Sequence, residues 1–301
     1  MELFFFDYLV GRVGGGSYSA RQLMIKVAVS GAAGRMGREA MRTVWRSEYI
    51  ELVGAVDPYA EGIDVGSLIE AGNIGIKVHS NLDTMLEDVR PDVLIDFTNP
   101  DSVFNNACTA LKRGVRPVVG TTGMSQGQLD DLRELASRYR LGCVVAPNFA
   151  IGALLMMKFA AEASRYFPHV EIIELHHDRK VDAPSGTALK TAQLINRERG
   201  DFCSSQVEEV EKIACARGAR YDNGIRIHSV RLPGMVAHQE VIFGGLGQNL
   251  TIRHDSISRE SFMPGVLLAV RKVMELTDLV YGLENIIFGN SEKADDTEAQ
   301  L

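Results

Sequence analysis

From Met24 onward, short β-branched runs alternate with longer stretches in which apolar residues recur every three or four positions. That alternation predicts successive strand–helix–strand units and a parallel sheet. Ile25-Lys26-Val27-Ala28-Val29 predicts the first strand and Arg35 to Arg46 the first helix. Glu51 to Val56 predicts the second strand, Asp92 to Phe97 another, and Asp101 to Lys112 the helix after it. Pro117-Val118-Val119 leads into a helix opened by Ser125, with Gln128 placed to complete a capping box, and Cys143-Val144-Val145 closes this half. Val93-Leu94-Ile95 and Val118-Val119 are apolar without alternation, as strands covered on both faces require.

Beyond Asn148 the pattern changes. A long apolar helix, about Gly152 to Tyr166, precedes a strand at Val170 to Leu175, a polar loop and a helix from Thr187 to Arg197. Ile225 to His254 predicts three or four alternating strands with turns at Pro233-Gly234, Gly244-Gly245 and Gly247. A final amphipathic helix, about Phe262 to Leu276, is expected to pack back on the first half. The predicted fold class is therefore α/β. A Rossmann-type dinucleotide-binding domain spans residues 24–147 and is completed by 260–289. A second, α+β domain with a mixed or antiparallel sheet, for substrate binding and oligomerisation, spans 148–259.

The two ends read differently. Met1 to Val10 is apolar but carries Glu2 and Asp7 and no basic start, and Gly14-Gly15-Gly16-Ser17 resembles a flexible linker. Residues 1–23 are thus expected to be an extension outside the fold, not a signal peptide. Residues 290–301 are polar and expected to be a disordered tail.

Composition narrows the partners. A net charge of -7 over 301 residues argues against nucleic acid or an anionic membrane, while leaving room for a local basic pocket. Cys108, Cys143, Cys203 and Cys215 lack metal or disulfide spacing and read as reduced thiols, with no metal site. No apolar run reaches the roughly 20 residues that span a bilayer. The expectation is a cytoplasmic protein acting on a small molecule.

Val29-Ser30-Gly31-Ala32-Ala33-Gly34-Arg35-Met36-Gly37 joins the first strand to the first helix. Small residues there let the turn close and let backbone amides approach a pyrophosphate at the helix start. The spacing is GxxGxxG, and a glycine triplet alone also suits any tight turn. Asp57 follows the second strand, where an acidic residue accepts from the adenine ribose hydroxyls; a solvated strand-end carboxylate is the plainer reading. Asp57 also repels a 2′-phosphate, and Pro58 and Tyr59 supply no cation beside it. NADH is expected to be accepted well, with NADPH left open. Gly120-Thr121-Thr122-Gly123 and Ala146-Pro147-Asn148-Phe149 lie at further strand ends, where open α/β sheets bind ligands, and the second carries the expected hinge.

The densest chemistry runs from Glu174 to Ala188: His176-His177-Asp178-Arg179-Lys180, then Pro184-Ser185-Gly186-Thr187. A strand delivers two histidines, a loop holds a lysine, and Ser185 caps a helix whose first amides, Gly186 and Thr187, form a cradle for a carboxylate. Histidine titrates near working pH and lysine can be tuned toward it, so the segment suits proton transfer to a group accepting hydride. A metal site joining these histidines to His228, His238 or His254 lacks ligand spacing, and no GxSxG elbow is present. His238 and His254 are expected in strands of the second sheet, as packing or interface residues.

These segments, in this order, resemble the 4-hydroxy-tetrahydrodipicolinate (dihydrodipicolinate) reductases, over about Met24 to Ile287. The resemblance implies NAD(P)H-dependent reduction, with loss of water, of a cyclic imine dicarboxylate in lysine and diaminopimelate biosynthesis, by a homotetramer. It implies His176 and Lys180 as the catalytic pair, and His177, Gly186 and Thr187, with Ser185 beside them, as substrate-binding residues. It also implies that the Gly120–Thr122 and Ala146–Phe149 segments line the cofactor. Asp178 and Arg179 depart from members with other, often basic, residues there, and Pro58 stands where some members carry an arginine used on NADPH. The rival readings are another two-domain NAD(P)-dependent dehydrogenase of amino-acid metabolism and a non-catalytic dinucleotide sensor. A thioester-forming semialdehyde enzyme needs a reactive cysteine, for which Cys143 and Cys203 are poor candidates.

Overall fold

Two sheets organise the chain. The computed structural model describes residues 24–199 and 210–289; the expected extension 1–23, the tail 290–301 and Cys203 lie outside the described residues.

The first sheet has seven strands, all parallel, in the order β12-β6-β5-β4-β1-β2-β3. Its members are β1 (Ile25–Ser30), β2 (Ile50–Val56), β3 (Val78–His79), β4 (Val93–Asp96), β5 (Arg116–Val119), β6 (Cys143–Val145) and β12 (Leu279–Tyr281). The order reverses at β1, between β2 and β4, which is the switch point where doubly wound sheets open a crevice for ligands. β4 is buried along its whole length, as its unbroken apolar run predicts. Helices α1 (Arg35–Trp45), α4 (Pro100–Lys112) and α5 (Gln126–Tyr139) are crossovers of this sheet, and the Ser125–Gln128 capping box is present in both directions. The short elements α2 (Val65–Ile69), β3 and α3 (Leu82–Val89) fill the stretch between β2 and β4, which sequence periodicity left blank because none exceeds eight residues.

The second sheet is mixed, in the order β11-β10-β7-β9-β8. Helix α6 (Ile151–Ala163) crosses into it, followed by β7 (His169–His176) and α7 (Gly186–Arg199). β8 (Ala219–Arg220), β9 (Arg226–Arg231), β10 (Ala237–Gly245) and β11 (Gln248–Ser256) complete it. β7 pairs parallel with β9 and antiparallel with β10. One expected turn is corrected: Gly244 and Gly245 are the last residues of β10, paired with Asn249 and Gln248, and the chain reverses at Leu246-Gly247 instead. A pair of glycines inside an alternating run reads as a break, yet here the pairing with β11 carries the strand through them.

The chain then returns. Helix α8 (Met263–Val273) packs against α1, β5 and β6, and β12 joins β6 in parallel before the short α9 (Leu283–Phe288). The returning helix matches expectation. β12 escaped notice because three residues carry too little pattern.

The turn after β1 is held by its glycines. Gly31 has φ +78°, and a Cβ on Gly37 would lie 2.1 Å from the Gly31 carbonyl oxygen, so α1 starts against the loop with no room for a side chain. Gly37→Ala must push the helix start away from the loop. The expected outcome is a loss of about 1–3 kcal/mol in urea unfolding; an unchanged midpoint would contradict this packing.

Candidate active site

The loops that follow β1, β2, β4, β5 and β6 all lie at the carboxyl edge of the parallel sheet. Four of them hold the expected cofactor residues. Gly34 is the N-cap of α1, with no side-chain cap and no acidic residue in the first turn, so the leading amides are left for an anion. Asp57 sits immediately behind: its carboxylate accepts from the Ala33 N–H at 2.9 Å and the Tyr59 N–H at 3.0 Å. The ribose-binding candidate and the glycine loop are thus joined, and each Asp57 oxygen keeps capacity for a further donor.

At the other loops, Gly120 is wedged against Phe97, whose ring a Cβ on Gly120 would meet at 2.1 Å. Phe97 and Phe149 meet edge to face, 6.0 Å apart, forming an apolar wall at the ends of β4 and β6. Asn148 Oδ1 accepts from the Ala150 N–H at 2.9 Å and so braces the turn into α6. Ala146 is buried, whereas Pro147 and Thr122 are exposed. This cleft fits a dinucleotide: open amides at α1, an acceptor at the ribose position, and small residues where the chain must be approached closely.

Asp96 was not singled out from sequence. It is 0 % exposed at the end of β4 and faces no cation in its hydrogen bonds. Its carboxylate accepts from the Thr98 N–H (3.0 Å), Thr98 Oγ1 (2.6 Å), Thr121 Oγ1 (3.1 Å) and Asn106 Nδ2 (2.8 Å). Those bonds tie the loops after β4 and β5 together across the cleft. A charged residue closing an otherwise apolar strand was the available signal.

The second cluster forms at the carboxyl end of β7. Period-two alternation turns Val170, Ile172, Glu174 and His176 toward the helices, and Arg231, opposite His176 on β9, shares that face. Glu174 is 0 % exposed. Arg231 clamps it with two bonds, Nη2 to Oε1 at 2.8 Å and Nη1 to Oε2 at 2.9 Å. The Ser185 N–H donates to Oε1 at 3.2 Å, and His176 Nδ1 lies 2.5 Å from Oε2. An ionised carboxylate only accepts, so His176 donates from Nδ1 and its Nε2 is the ring nitrogen left for a ligand. Burial pushes the Glu174 carboxyl up, but the bonds from His176, Arg231 and Ser229 outweigh it and bring it down to about 2.

The loop is tied to the same group. Arg231 Nη2 also donates to the Asp182 carbonyl oxygen at 2.7 Å. Asp182's carboxylate accepts from Lys180 Nζ at 2.7 Å through both oxygens, which holds that carboxyl below its usual range. Ser185 is buried, and its Oγ accepts from the Ala188 N–H at 3.2 Å, capping α7 as predicted. Ser185 therefore shapes the helix start, while Gly186 is exposed and has open space around it. Thr187 is half-buried, with its carbonyl accepting from Thr191 Oγ1, which in turn takes a bond from the buried Gln239. His177 lies just past the strand, so the two histidines are not bound to opposite faces, and its buried Nδ1 has no hydrogen-bond partner among the described residues.

The three histidines weighed as metal partners go elsewhere. His228 Nε2 bonds Glu171, His238 Nδ1 bonds Asp255, and His254 lies against Gly152 of α6. Cys143 is buried in the core, and burial pushes its thiol far up, which makes it an inert residue and not a nucleophile.

A dinucleotide-type cleft at one sheet and, at the other, a helix start furnished with a lysine and a histidine define a nicotinamide-dependent oxidoreductase built on two sheets. Comparison with known proteins is more specific. The family description "Dihydrodipicolinate reductase, N-terminus" matches residues 25–149 and "Dihydrodipicolinate reductase, C-terminus" matches 152–287. The chain is 55% identical over 264 residues to a 4-hydroxy-tetrahydrodipicolinate reductase of Desulfitobacterium hafniense (strain DSM 10664 / DCB-2), covering 87% of this chain and 98% of that one. It is 54% identical over 263 residues to the enzyme of that name from Listeria welshimeri, covering 87% and 100%. A solved dihydrodipicolinate reductase from Paenisporosarcina sp. TG-14, with dipicolinate bound, superposes with a TM-score of 0.77 at 50% identity, over 87% of this chain and 99% of that one. The chain belongs to the dihydrodipicolinate reductase family.

Glu174 has a depressed folded-state pKa, so its stabilisation is complete above its ordinary value of 4.5 and is lost as pH falls toward about 2. Across that window the unfolded chain binds the extra proton and stability rises with pH. Glu174→Gln should make the stability–pH curve flatter between pH 4.5 and 2, as read by urea titrations at each pH. Parallel curves for the two proteins would contradict the ion-paired state.

Proposed function

We propose that the chain reduces 4-hydroxy-tetrahydrodipicolinate to tetrahydrodipicolinate with loss of water, a step of lysine and diaminopimelate biosynthesis. The observation that carries this reading is the shared anchoring of three parts. His176, the Lys180 loop and the open start of α7 are all bonded to the Glu174–Arg231 pair. The relatives' printed names and the dipicolinate bound to one of them support the same substrate class.

The substrate is a six-membered ring with two carboxylates. One carboxylate takes the Gly186 and Thr187 amides at the start of α7 and the Thr187 hydroxyl. Lys180 faces a choice between Asp182 and the substrate's anionic groups, so binding proceeds by exchange of one carboxylate for another. His177 offers its unpartnered Nδ1 as an additional polar contact. Reduced nicotinamide, when bound, supplies the hydride. Lys180 donates the proton to the ring atom that gains electron density, and His176 assists through Nε2. The loop from Gly31 to Gly34, whose own amides are held by Val56, Asp57 and Gly31, lets the pyrophosphate approach the leading amides of Arg35 and Met36, and Asp57 receives the ribose hydroxyls. The Gly120–Thr122 and Ala146–Phe149 segments form the nicotinamide end. NADH is the better cofactor because Asp57 would repel a 2′-phosphate and Pro58 adds no cation.

Mixing the protein with NADH and freshly generated substrate should consume the reduced-nicotinamide absorbance, and NADPH should give a lower kcat/KM. Lys180→Ala should lower kcat more than a hundredfold, with NADH affinity changed less than about threefold. No turnover by the wild type, or equal losses in catalysis and cofactor binding, would overturn the assignment.

We further propose that the second sheet joins copies into a homotetramer. One face of that sheet is turned away from α6 and α7 and carries the half-buried apolar residues Ile173, Leu175 and Ile242 among charged ones. Among the described residues no helix is long and apolar enough to cross a membrane; with a small-molecule substrate and a net charge of -7, the cytoplasm is the proposed location. Sedimentation equilibrium should give four times the 33.0 kDa chain mass; a monomer at micromolar concentration would contradict the tetramer.

A further inference from the structure

We infer that Glu174 is a positioning residue for catalysis: through Nδ1 it fixes the orientation and protonation of His176, and Arg231 is the counter-charge that keeps it ionised. The inference rests on the functional reading above and deepens it, since neither residue is among those that meet substrate or cofactor there.

Geometry makes the case. Glu174 and His176 are two apart on one strand, so their side chains stand side by side on the same face. Arg231 reaches them from the neighbouring strand, where it is the register partner of His176. Both Glu174 oxygens are saturated by donors: Oε1 by Arg231 Nη2 and the Ser185 N–H, Oε2 by Arg231 Nη1 and His176 Nδ1. Every one of those partners is a donor, so an uncharged amide cannot replace the carboxylate without turning its own N–H groups against one of them. A fully buried carboxylate is costly unless paired, and a surface ion pair would have served stability as cheaply. Its placement here ties the ring, the lysine loop and the helix start to one rigid group, which is what a reaction needing sub-ångström placement requires.

The consequence for the ring follows from charge. A carboxylate at Nδ1 sets the neutral tautomer with Nε2 free and stabilises the imidazolium when Nε2 takes a proton. The charged groups around His176 are Glu174 on its own strand, Arg231 on β9, and Lys180 with Asp182 on the following loop. Ala237, its partner on β10, and the Ser185–Thr187 turn add none. With glutamine at 174, Arg231 loses its bonded carboxylate beside the ring and the imidazolium loses the anion bonded at its Nδ1.

The test is a double-mutant cycle read against the ring tautomer of His176. Glu174→Gln should lower kcat by about a hundredfold, within the range for general acid–base groups, while KM for the dicarboxylate stays within about threefold. In a His176→Gln background the same change should cost less than threefold, because the two act as a unit. Glu174→Asp, which keeps the charge, should recover at least tenfold over Glu174→Gln. Losses that multiply across the cycle would overturn the inference while leaving the reductase assignment intact, whereas an inactive wild type would strike the assignment alone. The second measurement needs no turnover. In ligand-free protein the ring 15N shifts of His176, assigned by their absence in His176→Gln, should show the Nδ1-protonated tautomer, and Glu174→Gln should lose that preference. If that variant does not fold, Glu174→Gln combined with Arg231→Met removes both charges and should show the same loss. Unchanged ring shifts would overturn the inference.

Discussion

A carboxylate with no exposure to water, held at both oxygens by donors from three segments, is the constraint on which the second half of this molecule depends. Glu174 cannot be left unpaired where it sits, since an uncompensated buried charge costs several kcal/mol. Arg231 therefore has to lie on the neighbouring strand at that level of the sheet, and the turn carrying Ser185 has to approach within hydrogen-bond reach. Once those requirements are met, the histidine has one available ring nitrogen, the lysine loop is tethered at Asp182, and the start of α7 is placed beside both. The position of the reactive groups is thus a consequence of satisfying one buried charge.

The parallel sheet uses the same device without a cation. Asp96, equally buried, takes four hydrogen bonds from threonine and asparagine and in doing so joins the loops after β4 and β5. The two buried carboxylates sit toward strand ends in different sheets, each binding loops together from behind. Lys180 shows the opposite arrangement. Its ammonium is paired to Asp182, a carboxylate that is itself exposed, so the pair is cheap to break and the lysine is available for exchange.

Much of this was legible in the residues. Alternation of strand and helix patterns from Met24 to Val145, the capping box at Ser125 and the glycine turn gave the parallel sheet, because each element there is long enough for its period to show. The turn chemistry from Pro184 to Thr187 likewise marked the start of α7, and the cap bond from Ser185 is where it was expected. What escaped was short or distant. β12 has three residues, and the elements between β2 and β4 are brief. Gly244 and Gly245 were read as a turn because an isolated strand would end there; pairing with β11 overrides that preference. Glu174 and Arg231 are 57 residues apart, and their meeting is a matter of strand order, which no local pattern encodes. Resemblance to a known family carried the catalytic roles, since spacing alone left His176 open to structural readings.

We propose that the α7 start, Lys180 and His176 converge on one dicarboxylate beside the nicotinamide. A crystal structure with NADH and dipicolinate tests it most directly. The expected complex has Lys180 released from Asp182 onto the ligand, and one ligand carboxylate on the Gly186 and Thr187 amides. It also has the nicotinamide carbon about 3–3.5 Å from the ligand ring. A ligand seated elsewhere, with Lys180 still on Asp182 and the helix start open, would contradict it.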